Sequence, residues 1–176
     1  MRPALSIVMP ALDEAAGIVA TLQALAPLRT GGVELVLADG GSSDGTARLA
    51  APWVDSVVAA PRGRASQMNA GAAQARGEVL LFLHADTRLP PQADALLLQA
   101  VAAGACWGRF DVCIEGRPAM LRVVAALMNL RSRLSGIATG DQAIFVSRAA
   151  CVQVGGYPVQ PLMDDIALSR RLKRLG

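Results

Sequence analysis

The chain has 176 residues, 53% of them apolar and only 3% aromatic, with a net charge of +3 carried almost wholly by arginine. This excludes a disordered chain and suits one domain with a substantial core; the arginines are scattered until the last residues, so no nucleic-acid partner is expected. Cys106, Cys113 and Cys151 show neither metal spacing nor even pairing, and no apolar run suits a secretory signal or a membrane span of roughly 20 residues, so a reducing, cytoplasmic setting is expected.

In chain order, Leu5 to Met9 reads as a first strand ended by Pro10. Asp13 and Glu14 then stand where an N-cap and first helical turn favour negative charge, and a helix is predicted to about Ala26. Val33 to Ala38 is a second buried strand, followed by the loop Asp39–Thr46, whose Asp44 can cap the next helix. A third strand covers Asp55 to Ala60, 61–64 is a turn, and Ala65 to Ala75 is a helix with Gly77 as its C-cap. The stretch Glu78–Thr87 organises the rest: five consecutive apolar residues bounded by Gly77 and Pro90 predict a strand buried on both faces. A helix from about Pro91 to Ala103 follows. This alternation predicts an α/β fold, an open, twisted, mainly parallel sheet with helices on both faces.

The second half is less regular. Trp107–Ile114 and Ala143–Val146 read as strands, and Gly155-Gly156-Tyr157-Pro158 as a turn. Pro118–Arg133 is an amphipathic helix with Met120, Leu121, Val124, Leu127, Met128 and Leu130 on its apolar side. Packing against the core is the first expectation for it; docking on a bilayer or on a second subunit is the alternative. Asp164-Asp165 opens a last helix that ends in Arg170–Arg174.

In open α/β sheets ligands gather where strands end, so Asp86 is expected to face the crevice. His84 points the same way as long as the extended conformation persists. A carboxylate there suits a divalent cation that neutralises a diphosphate, with imidazole as a second contact; the alternative is that Asp86 only opens a turn. Asp39, at the end of the second strand, either accepts a hydrogen bond from a nucleobase or closes an Asx-turn. Arg64, Gln67 and Asn69 lie at a helix start, a reasonable anion site, with Gly71 permitting close approach. Asp164 and Asp165 are either a helix cap or, in a cleft, a pair in which one carboxylate raises the other toward the range of a general base. P-loop and dinucleotide fingerprints are absent, as is the G-x-S-x-G of a serine nucleophile.

Five motifs now stand in order: Ser6–Glu14, Asp39–Thr46, Arg64–Gly71, His84–Thr87, and Gly140-Asp141-Gln142 with Gly155-Gly156-Tyr157 and Met163-Asp164-Asp165. With these the chain resembles the family 2 inverting glycosyltransferases of GT-A fold, and most of all the small "transferase 2" group associated with radical-SAM and selenoprotein-domain genes. The resemblance implies transfer of a sugar from a nucleoside-diphosphate sugar, by default a uridine diphosphate, to an acceptor hydroxyl with inversion. It assigns Pro10, Ala11, Leu12 and Glu14, with Asp39 and Gly41, to the nucleoside. Arg64 and Asn69 fall to the base or diphosphate, and Ala85 and Asp86 to the diphosphate. Asp86, with His84 where the family usually has an acid, would hold Mn²⁺ or Mg²⁺. Asp165, or its neighbour Asp164, would be the base, and Asp141 and Gln142 would line the sugar or acceptor side.

The family usually continues with further helices, so residues 1–176 are expected to be a single glycosyltransferase domain cut short at its C-terminus. Two other readings stand beside transfer. One is a sugar-nucleotide pyrophosphorylase, which would want a basic Gly-rich loop after the first strand; the other is a nucleotide-binding module without turnover. A peripheral contact at the inner membrane face, or a homodimer, would use 118–133.

Overall fold

Buried runs of aliphatic residues build the sheet. The structure, a computed structural model, describes residues 2–160 and 162–175. Strands β1 (Leu5–Ala11), β2 (Glu34–Asp39), β3 (Ser56–Ala59), β4 (Val79–Phe82), β5 (Trp107–Arg109) and β6 (Ile144–Ser147) form one sheet in the order β3-β2-β1-β4-β6-β5. The first four strands are parallel, and β6 runs antiparallel to both β4 and β5. The helices are α1 (Ile18–Thr30), α2 (Thr46–Ala50), α3 (Arg64–Gln74), α4 (Ala93–Ala102), α5 (Met120–Ser135), α6 (Arg148–Gln153) and α7 (Asp164–Leu172).

Alternation along the strands sorts their side chains into two layers. Leu5, Ile7, Met9, Leu35, Leu37 and Leu81 pack with Ile18, Leu22 and Leu25 of α1 and Leu97 of α4. Val8, Val36, Leu80, Phe82 and Val146 face the other side, against Met68 of α3, Ala150 of α6 and Leu168 and Leu172 of α7. All of β4 is buried, as its apolar run predicts.

Several elements depart from the sequence reading, each for a local reason. β1 continues through Pro10. β4 ends at Phe82, opposite Val8, and Val8 O accepts from Leu83 N, so the proline nitrogen two residues on faces an edge with no partner strand. α1 runs through Pro27 to Thr30, where the proline lies in the last turns and Leu25 and Leu28 still pack on the core. Gly77 does not cap α3, whose C-cap is Ala75. It lets the chain pass β1, where a Cβ would lie 2.6 Å from Ser6 N. β5 covers only Trp107–Arg109, not the stretch to Ile114.

The largest departure is α5. Most of the apolar side expected to pack on the core is turned outward: only Ala125 and Ser132 of this helix are buried, Leu121 and Met128 are half-buried, and Met120, Val124, Leu127 and Leu130 are exposed.

At the amino-terminal end of the sheet a buried polar cluster ties β1, β2 and the segment after α3 together. Ser6 Oγ donates to Glu34 Oε2 (2.5 Å), Gly77 N to Ser6 Oγ (2.8 Å), and Arg76 N and Nε to the two Glu34 oxygens (2.7 and 2.6 Å). Burial pushes the Glu34 carboxyl up, and these hydrogen bonds with the Arg76 charge outweigh it, so the net shift is downward.

Candidate functional site

The strand order reverses at β1, whose neighbours are β2 and β4, and at their carboxyl ends the loops after all three meet. Gln67 holds this point from below: its buried Nε2 donates to Ala11 O (2.6 Å) and Ala38 O (3.2 Å). Gly40 makes room for it, since a Cβ there would stand 2.8 Å from that nitrogen.

The loops after β1 and β2 are stitched to each other. Asp13 N donates to Ser42 Oγ (3.0 Å), Ser43 N to Asp13 Oδ1 (2.7 Å), Glu14 N to Thr46 Oγ1 (2.8 Å) and Ala15 N to Asp44 Oδ2 (2.9 Å). Asp13 and Glu14 therefore do not cap α1, which starts at Ile18 with no acid in its first turn. Asp39 ends β2 as expected, and its carboxylate closes the loop. It accepts from Gly41 N (3.0 Å), Ser42 N (3.1 Å) and Ser42 Oγ (2.5 Å), the turn alternative of the two considered.

The organising stretch stops being a strand at Phe82, and Thr87 N donates to His84 O (3.1 Å) in a turn. The alternation that would align His84 with Asp86 therefore does not apply. Asp86 projects into solvent, with a long contact from Thr87 Oγ1 (3.3 Å). The His84 ring packs down on Gly140, where a Cβ would lie 2.4 Å from Cε1, and its Nδ1 is 4.0 Å from Asp141 Oδ1. Burial and then the Arg64 charge lower its pKa, against the opposing pull of Asp141, Asp86 and Asp165, so the imidazole is held neutral. Ala85 O accepts from Thr21 Oγ1 of α1 (2.6 Å), which anchors the turn.

The two acids at the start of α7 have different surroundings, and both are buried. Asp164 Oδ1 lies 3.3 Å from Arg64 Nη2, at the head of α3, while its Oδ2 has no hydrogen-bond partner. Asp165 accepts from Gly140 N through Oδ2 (2.5 Å) and from Ile166 N through Oδ1 (2.7 Å). Asp165 thus borders the Gly140–Asp141 turn, and Asp164 borders Arg64. Tyr157 lies beneath them, packed edge-on against Phe82 at 4.8 Å. Burial and the two nearby carboxylates push its hydroxyl well above 10.

A cleft of about 650 Å³ opens beside this cluster, lined by 86–90, 110–115 and 141–143. The sequence-derived set thus divides. Asp86, Asp141 and Gln142 line this cleft; Pro10, Ala11, Leu12, Glu14, Asp39, Gly41 and Arg64 gather around the ends of β1, β2 and the head of α3, outside it. Asn69 belongs to neither group. Its amide makes a two-way clamp on Tyr157, donating to the carbonyl and accepting from the N–H (both 2.8 Å), so the ligand role expected for it is corrected to a structural one. The Gln142 amide is likewise engaged, with Thr139 N (3.2 Å) and Asn129 Oδ1 (3.3 Å). Asn129 itself is a residue the sequence did not point to: from α5 it donates to Val112 O and accepts from Val112 N (both 2.9 Å), fixing the cleft wall. A lone polar residue inside an apolar helical run was its only signal.

Among the described residues no three His, Cys, Asp or Glu side chains converge closely enough to hold a metal alone. The available donors, an exposed Asp86 carboxylate with a neutral imidazole and Asp141 nearby, fit a hard cation whose remaining ligands are phosphate oxygens and water.

Comparison with known proteins agrees with this fold. The profile of "Glycosyl transferase family 2" matches residues 6–150. A PGL/p-HBAD biosynthesis glycosyltransferase of Mycobacterium tuberculosis is 39% identical over 109 residues, 58% of this chain and 42% of its own length; the chain thus spans less than half the length of this relative. Among solved structures, the mannosyltransferase of Pyrobaculum calidifontis in complex with GDP-Man and Mn²⁺ superposes with a TM-score of 0.74 at 24% identity, over 100% of this chain and 53% of that one. Glucosyl-3-phosphoglycerate synthase of Mycobacterium tuberculosis, in complex with Mn²⁺, UDP and glucosyl-3-phosphoglycerate, gives the same TM-score and identity over 99% and 67%.

Proposed function

We propose that this chain, which belongs to glycosyl transferase family 2, moves a sugar from a nucleoside-diphosphate sugar to an acceptor hydroxyl with inversion at the anomeric carbon. One observation carries the reading: at the carboxyl end of the sheet the half-buried His84 packs on Gly140, whose N–H donates to Asp165, and lies 4.0 Å from Asp141, with the charges of Arg64 and Asp86 also acting on it. That is where an α/β fold binds nucleotides, and the groups have the charges that a diphosphate, a cation and a nucleophile require. The complexes of the mannosyltransferase with GDP-Man and of the synthase with UDP, each with Mn²⁺, support the same donor class.

The nucleoside lies over the stitched loops 10–14 and 39–46, and Arg64 faces the diphosphate. Asp86, with His84 nearby, would hold Mn²⁺ or Mg²⁺, which when bound would offset the charge that develops on the departing diphosphate. The acceptor enters through the cleft bordered by Asp141. Asp165 is the base on grounds of position: it borders the Gly140–Asp141 turn whose Asp141 lines that cleft, whereas Asp164 faces Arg64 through Oδ1. The acceptor O–H proton passes to Asp165, the oxygen bonds to the anomeric carbon, and the carbon–phosphate oxygen bond breaks with its electron pair leaving on the diphosphate. The leaving group needs no proton, so one base on the opposite face suffices, and configuration inverts.

Within the family, the resemblance of the five motifs together, from Ser6–Glu14 to Met163-Asp164-Asp165, supports placement in the radical-SAM- and selenoprotein-domain-associated group. Three unpaired cysteines suit a cytoplasmic, reducing setting. The test is release of nucleoside diphosphate from UDP-glucose and GDP-mannose with Mn²⁺. Asp165→Asn is expected to lower it by at least about a hundredfold, the range of a lost general base, with Asp164→Asn acting chiefly through donor KM. Turnover unchanged in Asp165→Asn would remove it from the base role.

A further inference from the structure

The feature that the transfer reading leaves unused is the outward face of α5. Met120, Val123, Leu127, Leu130 and Leu134 recur at alternating spacings of three and four residues and are 66%, 51%, 60%, 52% and 79% exposed. Val124 widens the stripe, which lies opposite the buried Ala125 and Ser132. A stripe of this width on a surface helix normally faces a core, and a contiguous apolar patch left in water marks an interaction site.

Charge decides the occupant. Between Glu115 and Asp141 the chain has no acidic residue and four arginines, Arg117, Arg122, Arg131 and Arg133. Two copies of such a helix, packed seam to seam, would bring like charges together, and of the four arginines only Arg133 has an acid beside it, Asp111, among the described residues. An anionic lipid surface meets both halves of the pattern: the apolar stripe enters the acyl boundary, and the arginines reach back to the headgroups along their aliphatic stems. No helix among the described residues is long and apolar enough to cross a membrane, so the contact is peripheral.

We infer that α5 docks this protein on an anionic phospholipid surface through Met120, Val123, Leu127, Leu130 and Leu134, with Arg122 and Arg131 at the headgroups. The docking stands independently of the transfer chemistry.

The experiment is co-sedimentation of the purified chain with vesicles of phosphatidylcholine alone and of phosphatidylcholine containing about 30% phosphatidylglycerol, at low and high salt. Binding is expected only with the anionic vesicles, weakening as salt rises. Leu127→Ser/Leu130→Ser and, separately, Arg122→Glu/Arg131→Glu should each lower the partition coefficient by about tenfold or more, with melting temperatures near that of the wild type. These side chains are solvent-facing, so both variants should fold. A wild-type chain that stays in solution with anionic vesicles would overturn the inference, as would binding that neither variant weakens. A lipid-free dimer abolished by Leu127→Ser/Leu130→Ser would overturn it in favour of a second copy on the stripe.

Discussion

Gly140 permits two contacts at once. Its missing side chain lets the His84 ring lie against the backbone, and its N–H donates to Asp165. Gly140→Ala would place a methyl 2.4 Å from the ring, so the imidazole must leave its position. Overpacking of this kind costs about 1–3 kcal/mol, measurable by urea unfolding, and transfer should fall with it because the neighbour of Asp165 is displaced. Asn69 gives the opposite profile. Asn69→Ala removes the clamp on Tyr157 and should destabilise the chain by about 1–3 kcal/mol, while the nucleotide Kd of the folded fraction stays unchanged. The two substitutions separate residues that serve the site from residues that only hold it. Sequence spacing could not make that distinction for Asn69, because a polar residue on the first turns of a helix has the same signature whether it faces a ligand or a loop 88 positions away.

At the scale of elements, the parallel half was legible, and the antiparallel half was legible as two strands but not in its pairing. β1, β2, β3 and β4 each follow from an apolar run whose burial is nearly complete or alternates, and the loops that carry Asp39 and Asp86 follow from where those runs stop. β5 and β6 have only 3 and 4 residues, and the insertion of β6 between β4 and β5 depends on pairings far apart in sequence, which no local pattern encodes. α5 was legible as an amphipathic helix, but not which of its faces meets the protein, because the inward face carries Ala125, Asn129 and Ser132 with Leu121 and Met128 half-buried, and leaves Leu127, Leu130 and Leu134 outside. The cluster joining β1, β2 and the end of α3 carries a pH dependence of known sign. The Glu34 pKa is lowered on folding from an ordinary value of 4.5, so its stabilisation is present above that value and is lost as pH falls through the lower folded one. Glu34→Gln should therefore be less stable near neutrality and show a flatter acid branch when urea unfolding is followed from about pH 7 to about pH 3. A variant with the acid branch of the wild type would show that Glu34 is not the group responsible.

At the scale of the molecule, the function proposed above divides the work across the sheet: β1, β2 and α3 would hold a donor nucleotide, the turn after β4 would carry the cation-binding carboxylate into the space between, and β5, β6 and α5 would shape the acceptor side. The central claim is that these parts meet at Asp86. The most direct measurement is thermal melting of the wild type and of Asp86→Ala with UDP and with GDP, each with and without Mn²⁺. A nucleotide at about a hundred times its Kd adds about 2.7 kcal/mol, a rise of roughly 5–10 °C for a chain of this size. The expected result is a rise of that order with one nucleotide, dependent on Mn²⁺ and lost in Asp86→Ala. No rise with either nucleotide, or a rise that Asp86→Ala leaves intact, would contradict it.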